Sequence, residues 1–164
     1  MNEEQKTLFE SIYQQHHPMV LQMCMGFMKG DYAQASDLAQ EAFINTWMAL
    51  PKFKGESSHK TWIYRIAVNT CLQYIRKEKN RSKNELAAGI PEAHQSTPDD
   101  THQDLYKAIG ELSEIDRLII TMVLDDLEYE EIAKVVGIQE TNLRVRIHRI
   151  KGKLKEKMEH GQRI

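Results

Sequence analysis

Apolar residues recur every three or four positions along almost the whole chain of 164 residues, and this helical spacing lapses only between residues 82 and 100. No segment alternates apolar and polar residues as a half-buried strand does. The segment without periodicity includes NELAAGIPEAHQSTPDD, where two prolines and a glycine lie among polar residues, a composition typical of a flexible linker. We therefore predict an all-α protein with an N-terminal helical domain at 1–81, a flexible linker at 82–100 and a C-terminal helical domain at 101–164.

Prolines, glycines and capping residues divide each domain into helices. Pro18 fits the first turn of a second helix, because that position needs no backbone N–H. Asp31 fits an N-cap, and Pro51 stops the helix that follows it. Ser113 and Asp116 resemble a capping box, with Asp in place of the usual Glu or Gln. The predicted helices cover about 3–15, 18–30, 31–50, 59–81, 101–112, 115–124, 128–136 and 140–158.

Charge is distributed unevenly along the chain, although its net charge is only −2. The first fifty residues are acidic overall, whereas positive charge is concentrated at 76–83 and 144–157. Local basic stripes on an otherwise acidic surface favour nucleic-acid binding at chosen faces and oppose indiscriminate binding.

Several classes of function lack the residues that they require. No apolar run approaches the ~20 residues of a membrane-spanning helix, and MNEEQKTLFE lacks the order of a signal peptide, so we expect a cytoplasmic protein without direct membrane insertion. Cys24 and Cys71 lie far apart among apolar residues, which favours small buried side chains over a disulfide. The histidines form neither an HExxH motif nor a Cys/His ligand set, and no glycine-rich phosphate loop occurs. We expect no enzymatic activity, no metal and no cofactor.

The segment EEIAKVVGIQETNLRVRIHRIKGKL has the spacing of a helix-turn-helix. Ala133 is small enough for two helices to cross closely, and Gly137 can take the left-handed conformation that the turn favours. Leu143 can then pack against the first helix. This spacing predicts a DNA-binding module whose second helix enters the major groove.

The second helix of this module has one apolar and one basic face. Its apolar residues predict a buried stripe, formed by Leu143, Ile147, Ile150, Leu154 and Met158. The opposite face carries an amide, a valine and arginine, which can pair with adenine, touch a thymine methyl and pair with guanine. A solvated basic helix of a bundle is the alternative. The residues predicted to contact duplex DNA are Thr141, Asn142, Arg144, Val145, Arg146, His148, Arg149, Lys151 and Lys153.

A narrow polar strip runs along the long helix TWIYRIAVNTCLQYIRK. Cations, amides and an aromatic side chain in one row suit single-stranded nucleic acid, where bases stack and phosphates pair with arginine. The ordinary solvent-exposed side of a helix is the alternative. The strip consists of Arg65, Asn69, Gln73 and Arg76, bordered by Trp62, and the predicted core residues of the helix are Ile63, Ile66, Ala67, Cys71 and Tyr74.

Two carboxylates, Asp37 and Glu41, lie at i and i+4 with Gln40 beside them. Like charges at this spacing are mildly destabilising in an isolated helix. A basic partner surface explains the pair, and an ordinary solvated face is the alternative.

Taken in this order, the three elements resemble a bacterial RNA polymerase sigma factor of the extracytoplasmic-function type, over nearly the whole chain. DLAQEAFINTW resembles the family's segment that binds the coiled-coil clamp of the polymerase β′ subunit. FKGESSHKTWIYRIAVNTCLQYIRK resembles the segment that melts and recognises the minus-ten element, and LEYEEIAKVVGI with NLRVRIHRIKGKL resembles the minus-thirty-five reader.

The resemblance implies a protein that directs promoter recognition, strand opening and transcription initiation. Its implied partners are core RNA polymerase, through the β′ clamp and the β flap, promoter DNA and an anti-sigma factor. The implied polymerase contacts are Asp37, Leu38, Gln40, Glu41 and Phe43. The implied minus-ten contacts, in a helix and the preceding loop that accepts a flipped base, are Phe53, Lys54, Gly55, Ser57, Trp62, Arg65, Asn69, Gln73 and Arg76.

The chain departs from the family pattern in the helix-turn-helix. Glu128 stands where the family often has Ser or Thr, and Asn-Leu-Arg-Val-Arg at 142–146 replaces the frequent Thr-Val-Lys-Ser-Arg. The promoter sequence therefore stays open. Two other functions compete with the sigma factor: a stand-alone helix-turn-helix regulator, which needs a dimer interface to read two half-sites, and a helical scaffold that binds only protein.

Overall fold

The computed structural model of the protein describes residues 2–84 and 102–161. Most of these residues are helical and none of them forms a strand, which confirms the predicted all-α class. α3 continues three residues beyond the predicted limit at 81, and the rest of the predicted linker, 85–100, lies outside the described residues. The helices are α1 Glu3–Phe27, α2 Tyr32–Ala49, α3 His59–Asn84, α4 Gln103–Gly110, α5 Glu114–Leu124, α6 Tyr129–Val136 and α7 Glu140–Gly161, with a 3-10 turn at Leu50–Lys52.

α1 is one continuous helix of 25 residues, so the predicted break before Pro18 is wrong. A proline inside a helix removes one backbone hydrogen bond and costs about 3 kcal/mol relative to alanine. Burial on both sides of the proline offsets this cost, because Ile12, His16, Val20 and Met23 are all buried. These residues keep one helical phase across Pro18, whose own side chain is exposed.

Side-chain caps begin two of the helices as the sequence predicts. The Asp31 carboxylate accepts from the Gln34 N–H at 3.1 Å, and the Ser113 hydroxyl accepts from the Asp116 N–H at 3.4 Å. The Asp116 carboxylate, predicted to complete a capping box, accepts from Arg146 Nε at 2.5 Å. Asp116 therefore joins α5 to α7.

Left-handed residues end three of the helices and set the direction of the chain after each. Lys29 follows α1 with φ 58°, Asp126 follows α5 with φ 57°, and Gly137 follows α6 with φ 75°. After α5 the Leu127 N–H donates to the Met122 carbonyl at 3.1 Å, as in a Schellman motif. The turn after α6 is the one that the position of Gly137 predicts.

α1, α2 and α3 pack around a core in the N-terminal half. Two residues predicted to lie in that core, Ile66 and Tyr74, are only half-buried. Tyr64 and Val68 are fully buried in their place, and the Tyr64 hydroxyl donates to the Asp125 carboxylate at the end of α5, at 2.5 Å. The remaining predicted core residues of α3, which are buried, are Ile63, Ala67 and Cys71.

The two cysteines meet inside the N-terminal half. Cys24 on α1 and Cys71 on α3 are both fully buried and free of any disulfide, as expected of small core residues. A hydrogen bond with the Cys24 thiol, together with burial, raises the pKa of the Cys71 thiol well above its usual value. Cys71 is therefore uncharged near neutral pH, which makes it a poor nucleophile.

The C-terminal half packs directly against the N-terminal half. α1 contacts α4 and α5, α3 contacts α6, and buried residues of both halves form one hydrophobic cluster. α1 and α5 approach so closely that a Cβ on Gly26 would lie 2.9 Å from Thr121 Oγ1. Nearby, the Arg117 guanidinium lies over the Phe27 ring, 5.3 Å from its centre.

Candidate nucleic-acid interface

α6 and α7 form the helix-turn-helix, and their packing fixes which face of α7 meets solvent. Ala133 is buried at the crossing, Leu143 is fully buried against α6, and the left-handed Gly137 lies between the two helices. The apolar stripe of α7 is buried as predicted, with its last member half-buried; it comprises Leu143, Ile147, Ile150, Leu154 and Met158.

The opposite face of α7 is open to solvent. Asn142, Val145 and Arg149 are exposed, and with Lys153 they line a cleft of about 560 Å³ beside Asp116. An amide, a valine methyl and a guanidinium in one exposed row can contact base edges in a major groove. The other exposed residues predicted on this helix are Thr141, Arg144, His148 and Lys151.

Two arginines of α7 already have partners within the chain. The half-buried Arg146 donates from Nε to Asp116 at 2.5 Å. Arg144 donates to Glu140 at 2.7 Å and lies over the Tyr129 ring, 5.1 Å from its centre. These contacts hold both guanidinium groups near the start of the helix, where they have donors to spare for phosphate.

The polar strip of α3 is exposed along its whole length. Arg65, Asn69, Gln73 and Arg76 all face solvent, as the helical spacing predicts. Trp62 borders the strip and is half-buried, because its ring packs against Phe53 with 4.6 Å between the ring centres. The sequence pattern did not predict this aromatic contact, which joins α3 to the preceding loop.

The loop before α3 is short and held at both ends. Gly55 has φ 71° with open space around its missing Cβ, and Ser57 is half-buried. The Ser58 hydroxyl accepts from the Thr61 N–H at 3.2 Å and so caps α3. The predicted loop residues Phe53, Lys54, Gly55 and Ser57 therefore stand next to the polar strip.

α2 presents its charges and a set of apolar side chains to solvent. Asp37 and Gln40 are exposed, whereas Glu41 is half-buried, 3.7 Å from Lys77 Nζ on α3. Lys77 thus relieves part of the repulsion between the two carboxylates. Leu38 and Phe43, also predicted to contact a partner, are only 3% exposed and support this surface from beneath.

Two exposed apolar residues on α2 were missed by the sequence analysis. Ile44 is 59% exposed and Met48 is 64% exposed, and both follow Gln40 at intervals of four residues. The sequence does indicate this exposure. Residues four apart lie on the same face of a helix, and Gln40 lies on the outer face of α2. Together with Tyr13 and Trp47, Ile44 borders a groove of about 340 Å³ between α1 and α2.

Neither a membrane-spanning helix nor a group of metal ligands is found in the part of the chain that the structure describes. None of the described helices is long and apolar enough to cross a membrane. Among residues 2–84 and 102–161, no three or more His, Cys, Asp and Glu side chains are grouped as metal ligands would be.

Comparison with known proteins assigns both halves of the chain in order. The Sigma-70 region 2 family matches residues 12–81, and the Sigma-70 region 4 family matches residues 102–154. The ECF RNA polymerase sigma-E factor of Escherichia coli is 34% identical over 140 residues, which cover 75% of this chain and 73% of that protein. The RNA polymerase sigma factor YlaC of Bacillus subtilis is 27% identical over 162 residues, 91% of either chain.

The fold is also found in a solved structure. The sigma factor RpoE from Bartonella quintana, in complex with the anti-sigma factor NepR, superposes with a TM-score of 0.76 at 23% sequence identity. The superposition covers 92% of this chain and 96% of that one.

Proposed function

Because this chain belongs to the extracytoplasmic-function family of RNA polymerase sigma factors, we propose that α2 docks it on core polymerase while α3 and α7 read two parts of the promoter. As a sigma factor it binds core RNA polymerase and directs promoter recognition and transcription initiation. A stand-alone regulator is disfavoured, because a region 2 domain precedes the helix-turn-helix. The assignment of two promoter elements to two helices is supported by one observation: α3 and α7 each present an exposed row of polar side chains.

The proposed polymerase-docking surface combines charge with apolar contact. Asp37 and Gln40 supply exposed polar groups, and Ile44 and Met48 extend the same face with apolar area. An apolar centre with a charged rim is the usual anatomy of a protein interface. Leu38 and Phe43 act here by holding the face in shape, since both are buried.

The proposed minus-ten surface is the α3 strip together with the loop before it. Arg65 and Arg76 can pair with phosphates, while Asn69 and Gln73 can hydrogen bond to unpaired bases. The Phe53 and Trp62 rings pack against each other at an angle of 42° at one end of the strip, and they offer an aromatic surface to a base that leaves the duplex. This surface therefore suits melted rather than duplex DNA.

The proposed minus-thirty-five surface is the exposed face of α7. Asn142, Val145 and Arg149 reach base edges, and Lys151 and Lys153 contact phosphates. The paired arginines Arg144 and Arg146, with Thr141 and His148 beside them, position the start of the helix against the backbone. The departure from the common family pattern at 142–146 means that the preferred bases have to be determined for this chain.

Further parts of the proposal come from the family. We propose that the C-terminal half, 101–164, docks on the β flap and the N-terminal half, 1–81, on the β′ clamp, and that the protein works in the cytoplasm without catalytic activity of its own. An anti-sigma factor is proposed as a partner, since RpoE was solved with NepR bound.

Co-purification with core polymerase tests the docking surface. Asp37→Lys should weaken binding at least about tenfold, because reversing the charge places like charges against each other at the interface, which costs several kcal/mol. Glu4→Lys, on an exposed part of α1, makes the same change of charge elsewhere and should bind as the wild type does. Asp37 is a sharper probe than Glu41, whose carboxylate is close to Lys77. Unchanged binding by Asp37→Lys, with normal helical content, would mean that α2 is not the docking helix.

A further inference from the structure

One carboxylate from outside α7 is bound to an arginine of that helix. Asp116, in the first turn of α5, accepts from Arg146 Nε at 2.5 Å, across 30 positions of the chain. The side chain of Asp116 is only 10% exposed, whereas that of Arg146 is 40% exposed. The Ser113 hydroxyl accepts from the Asp116 N–H at 3.4 Å, which fixes the backbone of Asp116 at the start of α5. Arg146 is therefore tied to a point outside its own helix.

The other paired arginine of α7 has a carboxylate partner of a different kind. Arg144 and Glu140 lie on the same helix at i and i+4, and their side chains are 60% and 41% exposed. An exposed ion pair contributes little and is screened by salt. The Asp116 carboxylate is nearly buried and belongs to another helix, so it holds Arg146 more firmly than Glu140 holds Arg144.

The pair of Asp116 and Arg146 stands beside the row of side chains proposed to contact base edges. Both residues line the cleft of about 560 Å³ that Asn142, Val145 and Arg149 also line. A guanidinium has five N–H donors, so Arg146 can offer its Nη groups to a DNA phosphate while Nε stays with the carboxylate. The place of that phosphate relative to the row is then set by α5 as well as by α7.

We propose that Asp116 is a positioning residue for promoter recognition, which holds Arg146 so that it reaches a phosphate only when α7 lies in register with its site. The proposal rests on the proposed contact of α7 with the minus-thirty-five element. The pair carries no net charge, so it adds little to the general attraction between the protein and the phosphates of any DNA. An Arg146 released from Asp116 is a free cation that contacts phosphates whatever the sequence. Asp116 thus favours the correct site over random DNA.

Removal of single carboxylates tests this positioning in the holoenzyme that the full chain forms with core polymerase. Asp116→Ala releases Arg146, and Glu140→Ala is the matched control, because it also removes a carboxylate from the first turn of a helix and from an arginine of α7. The double variant Asp116→Ala with Arg146→Ala has the net charge of the wild type and lacks the released cation. Circular dichroism checks that each variant keeps its helices. If Asp116→Ala does not fold, Asp116→Asn keeps the shape of the side chain and should change binding in the same direction.

A promoter library randomised in the minus-thirty-five element measures the discrimination. Binding of each holoenzyme, with core polymerase alone as the blank, gives the ratio between the affinity for the sequence that the wild type selects and the affinity for a scrambled sequence. Asp116→Ala should lower this ratio about tenfold, the order of one charge-assisted contact that becomes available on any sequence. Glu140→Ala should leave the ratio unchanged, because its change of charge acts on all sequences alike. An unchanged ratio in Asp116→Ala, or an equal fall in both variants, would overturn the proposal.

The salt dependence of binding to the scrambled sequence separates positioning from a merely structural role. Asp116→Ala should steepen the salt slope by about one, because a released Arg146 neutralises one more phosphate. The double variant should return to the wild-type slope. A general loosening of the fold weakens binding and does not steepen the slope. A slope that stays at the wild-type value in Asp116→Ala, or that remains steep in the double variant, would contradict the positioning of Arg146 by Asp116.

Arg149→Ala separates this proposal from the proposed function on which it rests. If Arg149→Ala relaxes the selected sequence and Asp116→Ala does not lower the ratio, α7 reads the minus-thirty-five element without help from Asp116, and only the positioning is wrong. If neither variant has an effect, or if the wild type selects no sequence, the contact of α7 with bases is wrong and the positioning falls with it.

Discussion

The basic residues of α7 differ in whether they already have a partner within the chain. Arg144 and Arg146 are anchored to acidic side chains of the same chain, whereas Arg149 is exposed on the face that carries Asn142 and Val145. Lys151 lies away from that row, nearer the edge of the buried stripe. This difference in phase predicts two kinds of mutational effect on promoter binding.

We predict that Arg149→Ala changes specificity and that Lys151→Ala changes overall affinity. Loss of Arg149 should cost roughly 1–3 kcal/mol and relax the preference at one or two base pairs of the minus-thirty-five element. Loss of Lys151 should weaken binding to all sequences alike and lower the salt slope by about one. Binding of the holoenzyme to a panel of single-base variants at several salt concentrations measures both effects. Identical behaviour of the two variants would show that the phase assigned to α7 is wrong.

The buried His16 makes the folding stability of the protein depend on pH. The side chain is buried, and burial, followed by the charges of His59 and Lys60, lowers its pKa below the usual 6.5, against an opposing effect of Asp125. In the unfolded chain the imidazole takes up its proton near pH 6.5. Below that pH the unfolded state binds more protons than the folded state, so stability is lost as the pH falls.

We predict that His16→Gln removes part of this pH dependence. Between pH 7.5 and pH 5.5 the wild type should lose more unfolding free energy than the variant, because glutamine has no proton to take up. Urea unfolding at the two pH values measures the difference. Equal losses in the two proteins would mean that His16 is not held neutral by its surroundings.

At the scale of a helix, α1 shows how burial overrides a local signal. Proline at position 18 read locally as a helix start, but the buried phase of Ile12, His16 and Val20 runs through it. The periodicity of the whole segment was the stronger signal, because buried residues that keep the same helical phase on both sides of Pro18 indicate one continuous helix. The hydrogen bond that Pro18 cannot donate remains a cost in the folded protein.

We predict that Pro18→Ala stabilises the protein. The exposed ring makes little buried contact, so the change restores a backbone hydrogen bond at the price of more freedom in the unfolded chain, with a net gain of about 2 kcal/mol. Pro51→Ala is the matched control, because Pro51 lies at the start of the 3-10 turn and should give no gain. Denaturant unfolding of both variants measures the effect. A less stable Pro18→Ala would show that the proline fits α1 without cost.

The sequence predicted which face of a helix is buried better than it predicted the contacts between helices. The buried stripe of α7 and the exposed strip of α3 follow from the 3.6-residue period alone. The burial of Leu38 and Phe43 follows from the same period, because both belong to the buried stripe of α2, although the family resemblance implied that they contact the polymerase. The pairing of Arg146 with Asp116 lay outside the pattern, since it joins residues 30 positions apart.

The same limit applies to the whole molecule. Two all-helical halves follow from the lapse in periodicity, but the packing of one half on the other rests on contacts such as Tyr64 with Asp125, 61 positions apart. The presence of Gly26 does not by itself predict the close approach of α1 to α5, because a glycine can occur within a helix for several different reasons. Long-range contacts of this kind need the three-dimensional arrangement of all the helices.

We predict that the polymerase, and not this chain, sets the promoter spacing. If both halves dock on one large rigid partner, their separation and relative rotation are fixed. One extra base pair moves a site by about 3.4 Å and turns it by about a tenth of a helical turn. Transcription by the holoenzyme should therefore fall steeply when the spacer changes by one base pair, and Gly/Ser insertions within residues 85–100 should matter little. If such insertions shift the preferred spacer length, then this chain and not the polymerase sets the promoter spacing.

The central claim is that this sigma factor opens promoter DNA through α3. Permanganate reactivity of thymines in the minus-ten element, measured on a duplex promoter with core polymerase and either wild type or Asn69→Ala, tests it most directly. Asn69 is an exposed residue of the strip, so the change should leave the fold intact. We predict strand opening with the wild type, none with core polymerase alone and a marked loss with Asn69→Ala, which should still transcribe from a template already mismatched at the minus-ten element. Normal opening by Asn69→Ala, or opening without this chain, would contradict the account.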